Sequence, residues 1–599
     1  MKTRRHSLRI GSIIMVLMTC VIALPAVARE RIIFSGSGFS DGFATALFIA
    51  NADGTAERKL LSTSEFDYSP SFSGDGKWIV FTSERSGPAN IYRTHLDGSG
   101  LERLTNAPAF DDQAVLSPDG RKMAFVSTRS AGTADIWILD LQGHKLRNLT
   151  RGAGGNFRPR WSPDGHWLAF SSDRNTTPRR RSAMNFEEVQ ETSVYIMRAD
   201  GTGLRRITPT GKSAGSPTWS ADGKRALFYE MTADQAFDAR WVAVPPDTVS
   251  QIVAVDVISG ERTELTTGPG VKVAPQSVSD EVAYLIKTGE HAGLAFTKSG
   301  FGAAGKIRNP VWSPDGKWVV YQRVLAGPRV QNEPLFSNNA QEFEFAWSNP
   351  FPAFSPTGKL AVTTDFRPPH SSISVMNADG SDANRIFDHE DGMALYPSWS
   401  PDGQWIAFSF GTFFQGKSQP TRIMMMRPDG SEVREIIHEP GNSAFPSFSP
   451  DGKQLVYNVR GGQEQGLRIV TLADGSIRTL TTGPDAFPRW SPNDDAIEFT
   501  RAIDDAYDIF SIRADGSDLR RLTTAPGNDA HGVWSPDGKH ILFSSARLGY
   551  RDESALYDAV PQPYAEIFIM DADGSNQRAL TDNKWEDGTP AWQPTLLGK

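Results

Sequence analysis

The chain has 599 residues, a formal net charge of -8 and a single cysteine, Cys20. The acidic balance argues against general nucleic-acid binding and for neutral or cationic partners, and one cysteine excludes a disulfide framework. Charged residues make up 22 % and hydrophobic residues 39 %, with 54 glycines and 39 prolines, the composition of a folded, turn-rich chain.

The first residues, MKTRRHSLRIGSIIMVLMTCVIALPAVARE, give a basic start (Lys2, Arg4, Arg5, Arg9), an apolar run from Ile10 to Leu24, and Ala26-Val27-Ala28. That order is a secretory signal peptide with an A-x-A cleavage site. The expected mature chain begins near Arg29, is periplasmic or secreted, and carries no cysteine. Loss of four basic residues and no acidic ones takes its formal charge from -8 to -12. No later segment approaches the roughly 18 to 20 apolar residues that a membrane span needs.

Beyond the leader one unit recurs. It reads PRWSPDGHWLAFSSDR at Pro159 to Arg174 and returns as PVWSPDGKWVVYQR, PSWSPDGQWIAFSF, PSFSPDGKQLVYNV and GVWSPDGKHILFSSAR. Its aromatic marker falls at Phe72, Leu116, Trp161, Trp219, Val278, Trp312, Phe354, Trp399, Phe448, Trp490, Trp534 and Trp592, twelve positions in all. Most intervals are 42 to 49 residues, three are 58 or 59 and one is 34, which is the length of a four-stranded propeller blade.

A second motif alternates with the first: IYRTHLDGSGLERLT, VYIMRADGTGLRRIT, IFSIRADGSDLRRLT and IFIMDADGSNQRALT. Short apolar runs broken by Asp-Gly are hairpins, because glycine supplies the positive φ of the turn. Each unit therefore holds strands A and B around SPDG, then C and D around DGS. The expected fold is all-β, with about twelve four-stranded blades and almost no helix.

The mature chain opens on a B-like strand, RIIFSG, and closes on an A-like strand, PAWQP. Each supplies what the other lacks, and pairing them closes a ring and removes its edges. Twelve blades exceed the 4 to 8 of one ring, so two tandem six-bladed rings are expected, over 29–315 and 316–599 after a leader at 1–28. Seven plus five is the alternative.

The pair WSPDGKW(I/V)(A/V)(F/Y) and (I/V)(Y/F)xMxxDGSxxRxLT resembles the TolB-like (WD40-like) propeller repeats of exported bacterial proteins, over nearly all of the mature chain. The resemblance implies six-bladed propellers. For TolB itself it implies a periplasmic role, gripping a peptidoglycan-associated lipoprotein and other partners by one face and the channel. This chain departs from TolB in having about twice the blades and no N-terminal α/β domain between leader and repeats.

Two strings imitate catalytic motifs. GTFFQGKS (Gly411 to Ser418) matches a phosphate-binding loop, but it lies between a B and a C strand with Pro420 behind it. GFSDG (Gly38 to Gly42) matches a serine-hydrolase elbow, but Ser40 lies in a B-to-C loop with no α/β domain around it. The repeated SPDG and DADGS carboxylates are turn residues, and their spacing does not supply the 6 to 8 oxygens of a calcium site.

A-to-B and C-to-D turns share one face of a propeller, and B-to-C and D-to-A loops share the other. Long B-to-C loops such as SDRNTTPRRRSAMNFEEVQETS and ARLGYRDESALYDAVPQPYAE make the loop face the expected binding surface. Its candidate residues are Tyr68, Phe157, Tyr396, Phe445 and Phe487, beside the basic triplet Arg179, Arg180 and Arg181. The Ser-x-Arg ends of B strands, with Arg85, Arg129, Arg174 and Arg547, read as structural arginines pairing with neighbouring blades.

His389, His438 and His531, with His370, are expected at one mouth of the second ring, near Glu390, Asp391 and Glu439. Imidazoles and carboxylates from separate blades are metal-binding or acid-base material, and some propeller polysaccharide lyases resemble this chain in architecture. The expected function is non-catalytic binding or scaffolding with an envelope protein or polysaccharide and no cofactor. The alternative is a lyase or hydrolase of an acidic saccharide, with a divalent metal at the second-ring mouth.

Overall fold

The computed structural model describes residues 30–594 apart from 37–44, 63–65, 87, 131–132, 177–178, 181–187, 190, 239–246, 306, 325–329, 334–342, 368–369, 413–419, 438–440, 461–464, 504–505, 548–551, 554–564 and 583–586. The leader, Ser40, Arg181 and His438 lie outside the described residues. The fold is almost wholly β. The described residues hold one short helix, Ala233–Asp238, and none long and apolar enough to cross a membrane.

Each of the twelve markers is the last residue of an inner strand, from Asp67–Phe72 and Asp111–Leu116 through to Asp529–Trp534 and Asp587–Trp592. The reason lies in the turn that follows. In SPDG the serine hydroxyl donates to the aspartate, as in Ser162 Oγ to Asp164 Oδ1 at 2.5 Å. The same hydroxyl accepts the Trp167 amide at 2.9 Å, and Asp164 Oδ1 accepts the His166 amide at 3.0 Å. Gly165 sits at φ 72°, where a side chain is strained. One tetrapeptide thus fixes the A-to-B hairpin, and the aromatic before it packs against the neighbouring blade, as Trp161 does with its indole N–H on the Val115 carbonyl at 3.3 Å.

Inner strands touch in two closed cycles of six. The first cycle runs through Asp67–Phe72, Asp111–Leu116, Asn156–Trp161, Lys212–Trp219, Lys272–Val278 and Arg308–Trp312. The second runs through Ala353–Phe354, Met393–Trp399, Asn442–Phe448, Asp485–Trp490, Asp529–Trp534 and Asp587–Trp592. The chain is two six-bladed propellers.

Both closures borrow strands across the chain. Arg308–Trp312 and Trp318–Val324 are completed by Thr45–Asn51 and Arg58–Lys59. Glu30–Gly36 pairs antiparallel with Asp587–Trp592, the expected exchange, and also parallel with Phe343–Ser348. The first strand therefore belongs to the second ring, and a cut at 315/316 falls inside an A-to-B hairpin of the first. The chain starts in ring two, crosses to build ring one, and returns, because each ring must pair its open edge.

The B-strand arginines pair inside their own blade. Arg129 Nη2 lies 2.7 Å from both oxygens of Asp111, the first residue of the same blade's inner strand, and Arg85 with Asp67 and Arg547 with Asp529 repeat the arrangement. Neighbouring blades do not supply these partners, because the A and B strands are antiparallel and bring their loop-face ends together.

Candidate functional site

Eleven of the twelve A–B pairs slip register within the inner strand, as between Asp112 and Val115 or Phe157 and Arg160. A non-glycine residue with positive φ sits at the slip at Ser69, Gln113, Arg158, Ser216, Ala274 and Asn309 in ring one and at Tyr396, Phe445, Phe487 and His531 in ring two, and Phe351 has the same conformation just before Ala353–Phe354. These bulges turn side chains toward the ring axis. In ring two Thr589 holds the equivalent place, three residues before Trp592.

The two channels consequently differ in content. In ring two Phe351 stacks on Tyr396 at 3.8 Å between ring centroids, Tyr396 meets Phe445 at 4.4 Å, Phe445 meets Phe487 at 4.3 Å and Phe487 meets His531 at 4.4 Å. The aromatic cluster fills the axis and leaves a gap of about 20 Å³. Burial, then the Arg489 guanidinium, lowers the His531 imidazole to about 3 and keeps it neutral. Burial also pushes the fully buried Glu498 carboxyl well above the usual range, against the pull of Arg489.

In ring one five of the six corresponding positions are polar, Ala274 being the exception, and the axis is hollow. A cavity of about 450 Å³ runs down to the turn face, lined by Gln113, Arg158, Ser216, Gln276, Asn309 and Trp312 among others. Its loop-face end is closed by Asp552 and Glu553, which come from the long B-to-C loop of the fifth blade of ring two. Asp552 accepts from Gln113 Nε2 at 2.7 Å and from Arg158 Nη2 at 3.0 Å and Nε at 3.2 Å. Glu553 accepts from Ser171 Oγ at 2.6 Å and from the Ser216 amide at 2.7 Å and hydroxyl at 3.1 Å. Arg158 Nε also lies 3.3 Å from Glu553, and Arg158 Nη1 donates to Asn309 Oδ1 at 3.1 Å. Burial, and then the Glu553 charge, raise the Asp552 carboxyl to about 6 against the pull of Arg158.

The loop faces of the rings therefore meet. Thr128 Oγ1 of ring one donates to Asp582 Oδ2 of ring two at 2.7 Å, and one apolar cluster contains Tyr68, Phe110 and Phe157 together with Phe343, Ile567 and Trp592.

This accounts for where the sequence-predicted residues fall. Tyr68 and Phe157 are 0 % exposed within that cluster. Tyr396, Phe445 and Phe487 are buried in the second channel. Arg179 and Arg180 form a short ladder with Glu188 and Val189. His370 Nε2 bonds Asp388 at 2.6 Å, and His389 is half-exposed beside Asp391 at 3.7 Å. His531 is in the channel wall, with its Nδ1 3.3 Å from Ser544 Oγ. Among the described residues no three His, Cys, Asp or Glu side chains are placed to hold a metal. The phosphate-loop string departs from its motif's geometry: strand Ile406–Gly411 precedes it and strand Arg422–Met426 begins four residues after Ser418, so the helix such a loop requires does not fit.

The first-ring set (Gln113, Ser171, Ser216 and Arg158) was not singled out by sequence. A signal existed. The channel residue stands three places before the marker in eleven blades and four places before it in the blade of Val278.

Fold and channels define a tandem β-propeller whose two rings share a backbone plan and differ in what fills the axis. The chain belongs to the TolB beta propeller domain family, whose sequence pattern matches residues 30–130, 106–239, 302–487 and 412–558. Over 81 residues it is 36 % identical to an uncharacterized protein of Agrobacterium fabrum, covering 14 % of this chain and 28 % of that protein. Over 153 residues it is 31 % identical to the TolB homolog of Chlorobium luteolum, covering 26 % of this chain and 31 % of the homolog. The chain thus spans less than a third of the length of these curated relatives. The crystal structure of TolB from Acinetobacter baumannii is similar over 81 % of this chain and 82 % of its own, at 13 % identity and a TM-score of 0.27.

Proposed function

We propose that the protein is an exported, non-catalytic binding or scaffolding protein, and that its partner, an envelope protein or polymer, is received at the turn-face mouth of the first ring. The observation that carries this reading is the contrast between the channels: one packed solid with aromatics, the other a polar cavity of about 450 Å³ with a guanidinium in its wall. A concave site with a few convergent polar groups is where ligands bind. The loop face, the usual binding surface of such a scaffold, is engaged between the rings. Export rests on the leader at residues 1–28.

The test is capture from an envelope fraction by the mature protein, with mass-spectrometric identification. Ser277 lines the cavity, and Ser277→Trp fills it. A partner retained by the wild type and by the surface control Val433→Trp, and lost with Ser277→Trp, supports the reading. Equal retention by all three refutes it.

A further inference from the structure

We infer that the channel of the first ring is a receptor site for an acidic polypeptide segment, built from Arg158, Gln113, Ser171 and Ser216, and that Asp552 and Glu553 occupy it in cis. This rests on the proposed binding role and names the chemistry of what is bound.

The site is made for carboxylates. Glu553 is 0 % exposed and accepts a backbone amide and two hydroxyls, while Asp552 takes a side-chain amide and two guanidinium N–H groups. The wall even leaves room for the glutamate: a Cβ at Gly215 would collide with the Glu553 carboxylate. Gly215 is not among the positive-φ glycines, so clearance for the occupant is the reason for a glycine there. Charge-assisted bonds of this kind select an anion over a neutral side chain.

The cis occupant also carries like charges close together. Asp552 and Glu553 both lie against the Arg158 guanidinium, and Asp112, fully buried at the next position to Gln113, is a third acidic group nearby. Like charges this close repel one another, which works against the pair's hydrogen bonds. The cavity beneath supplies the route for a competitor. Gln113, Arg158 and Ser216 line it as well as holding the acidic pair, so a carboxylate-bearing segment entering from the turn face reaches the same donors.

The experiment uses the full mature chain and a fluorescein-labelled peptide of residues 546–557, ARLGYRDESALY, read by anisotropy. Wild type should bind it at least about tenfold more weakly than Asp552→Asn/Glu553→Gln, whose cis carboxylates are gone. Adding Arg158→Met should abolish that gain, and a peptide with Asn and Gln in place of Asp and Glu should not bind. Hydrogen exchange on the wild type gives an arm that does not depend on a variant folding: excess peptide should accelerate exchange in 546–565. Binding that ignores Arg158 or the peptide's carboxylates overturns the inference, as does unchanged exchange at saturating peptide or a folded double variant that binds no peptide. Those failures leave the Ser277→Trp capture result untouched, so the general binding role and the acidic-segment assignment fail separately.

Discussion

Replacing Arg129 by methionine isolates what the repeated arginines contribute. Asp111 is 0 % exposed, and Arg129 holds both its oxygens at 2.7 Å while also donating to Ser127 Oγ at 2.7 Å and lying 5.1 Å over the Phe125 ring. Even so, burial keeps the Asp111 carboxyl above its ordinary value, so desolvation outweighs the guanidinium. Removing one partner of a buried pair costs about 3–5 kcal/mol, and the lost cation–π contact adds about 0.5–1 kcal/mol. The next blade contains its own control: Arg174 bonds Asn156 at 2.5 Å in the same geometry, so a neutral amide stands where Asp111 carries a charge. Arg174→Met should therefore cost about 1–2 kcal/mol. At roughly 2–4 °C per kcal/mol for units of this size, melting followed by near-ultraviolet circular dichroism should fall by roughly 7–24 °C in the first variant and by roughly 2–8 °C in the second. Asp111→Asn with Arg129→Met should recover most of the difference. Equal losses in the two single variants would refute the reasoning, since the directly bonded partner is a carboxylate in one and a neutral amide in the other.

The second channel gives two further expectations. Phe487→Ala, by removing a ring packed on Tyr396, Phe445 and His531, should cost about 3–5 kcal/mol, measured by denaturant unfolding of the second ring. His531 should show no titration above about pH 4 by proton NMR, because burial holds its imidazole down to about 3.

The blade plan was legible because it is written locally and repeatedly. SPDG fixes a hairpin within four residues, and all twelve markers, ten of them aromatic, end inner strands. The arginine partners were legible too, in a spacing that escaped notice: Asp67 to Arg85, Asp111 to Arg129, Asn156 to Arg174 and Asp529 to Arg547 are each 18 residues apart. The channel residues were misread for a geometric reason. Tyr396, Phe445 and Phe487 do precede the markers, but the bulge rotates them onto the axis rather than up to the loop face. The acidic plug could not be read at all, since Asp552 and Arg158 are 394 residues apart and no repeat links them.

A solid ring and a hollow ring from one repeat are most simply understood through what each must satisfy. Phe351, Tyr396, Phe445 and Phe487 bury one another, and a ring so filled is complete without a ligand. Arg158, Gln113, Ser216 and Asn309 bond one another in part, through Arg158 to Asn309 and to Gln113, but the set holds one cation and no carboxylate. Buried donors of this kind need an acceptor, and the chain brings one from its other ring, 394 residues away. The same requirement that recruits Asp552 makes the site selective: any group that displaces it must bring a negative charge to Arg158, in a chain whose overall charge is itself -8. In the proposed binding role, Arg158 is the cation that the acidic loop of the second ring already engages, and that loop sets the threshold a partner has to exceed.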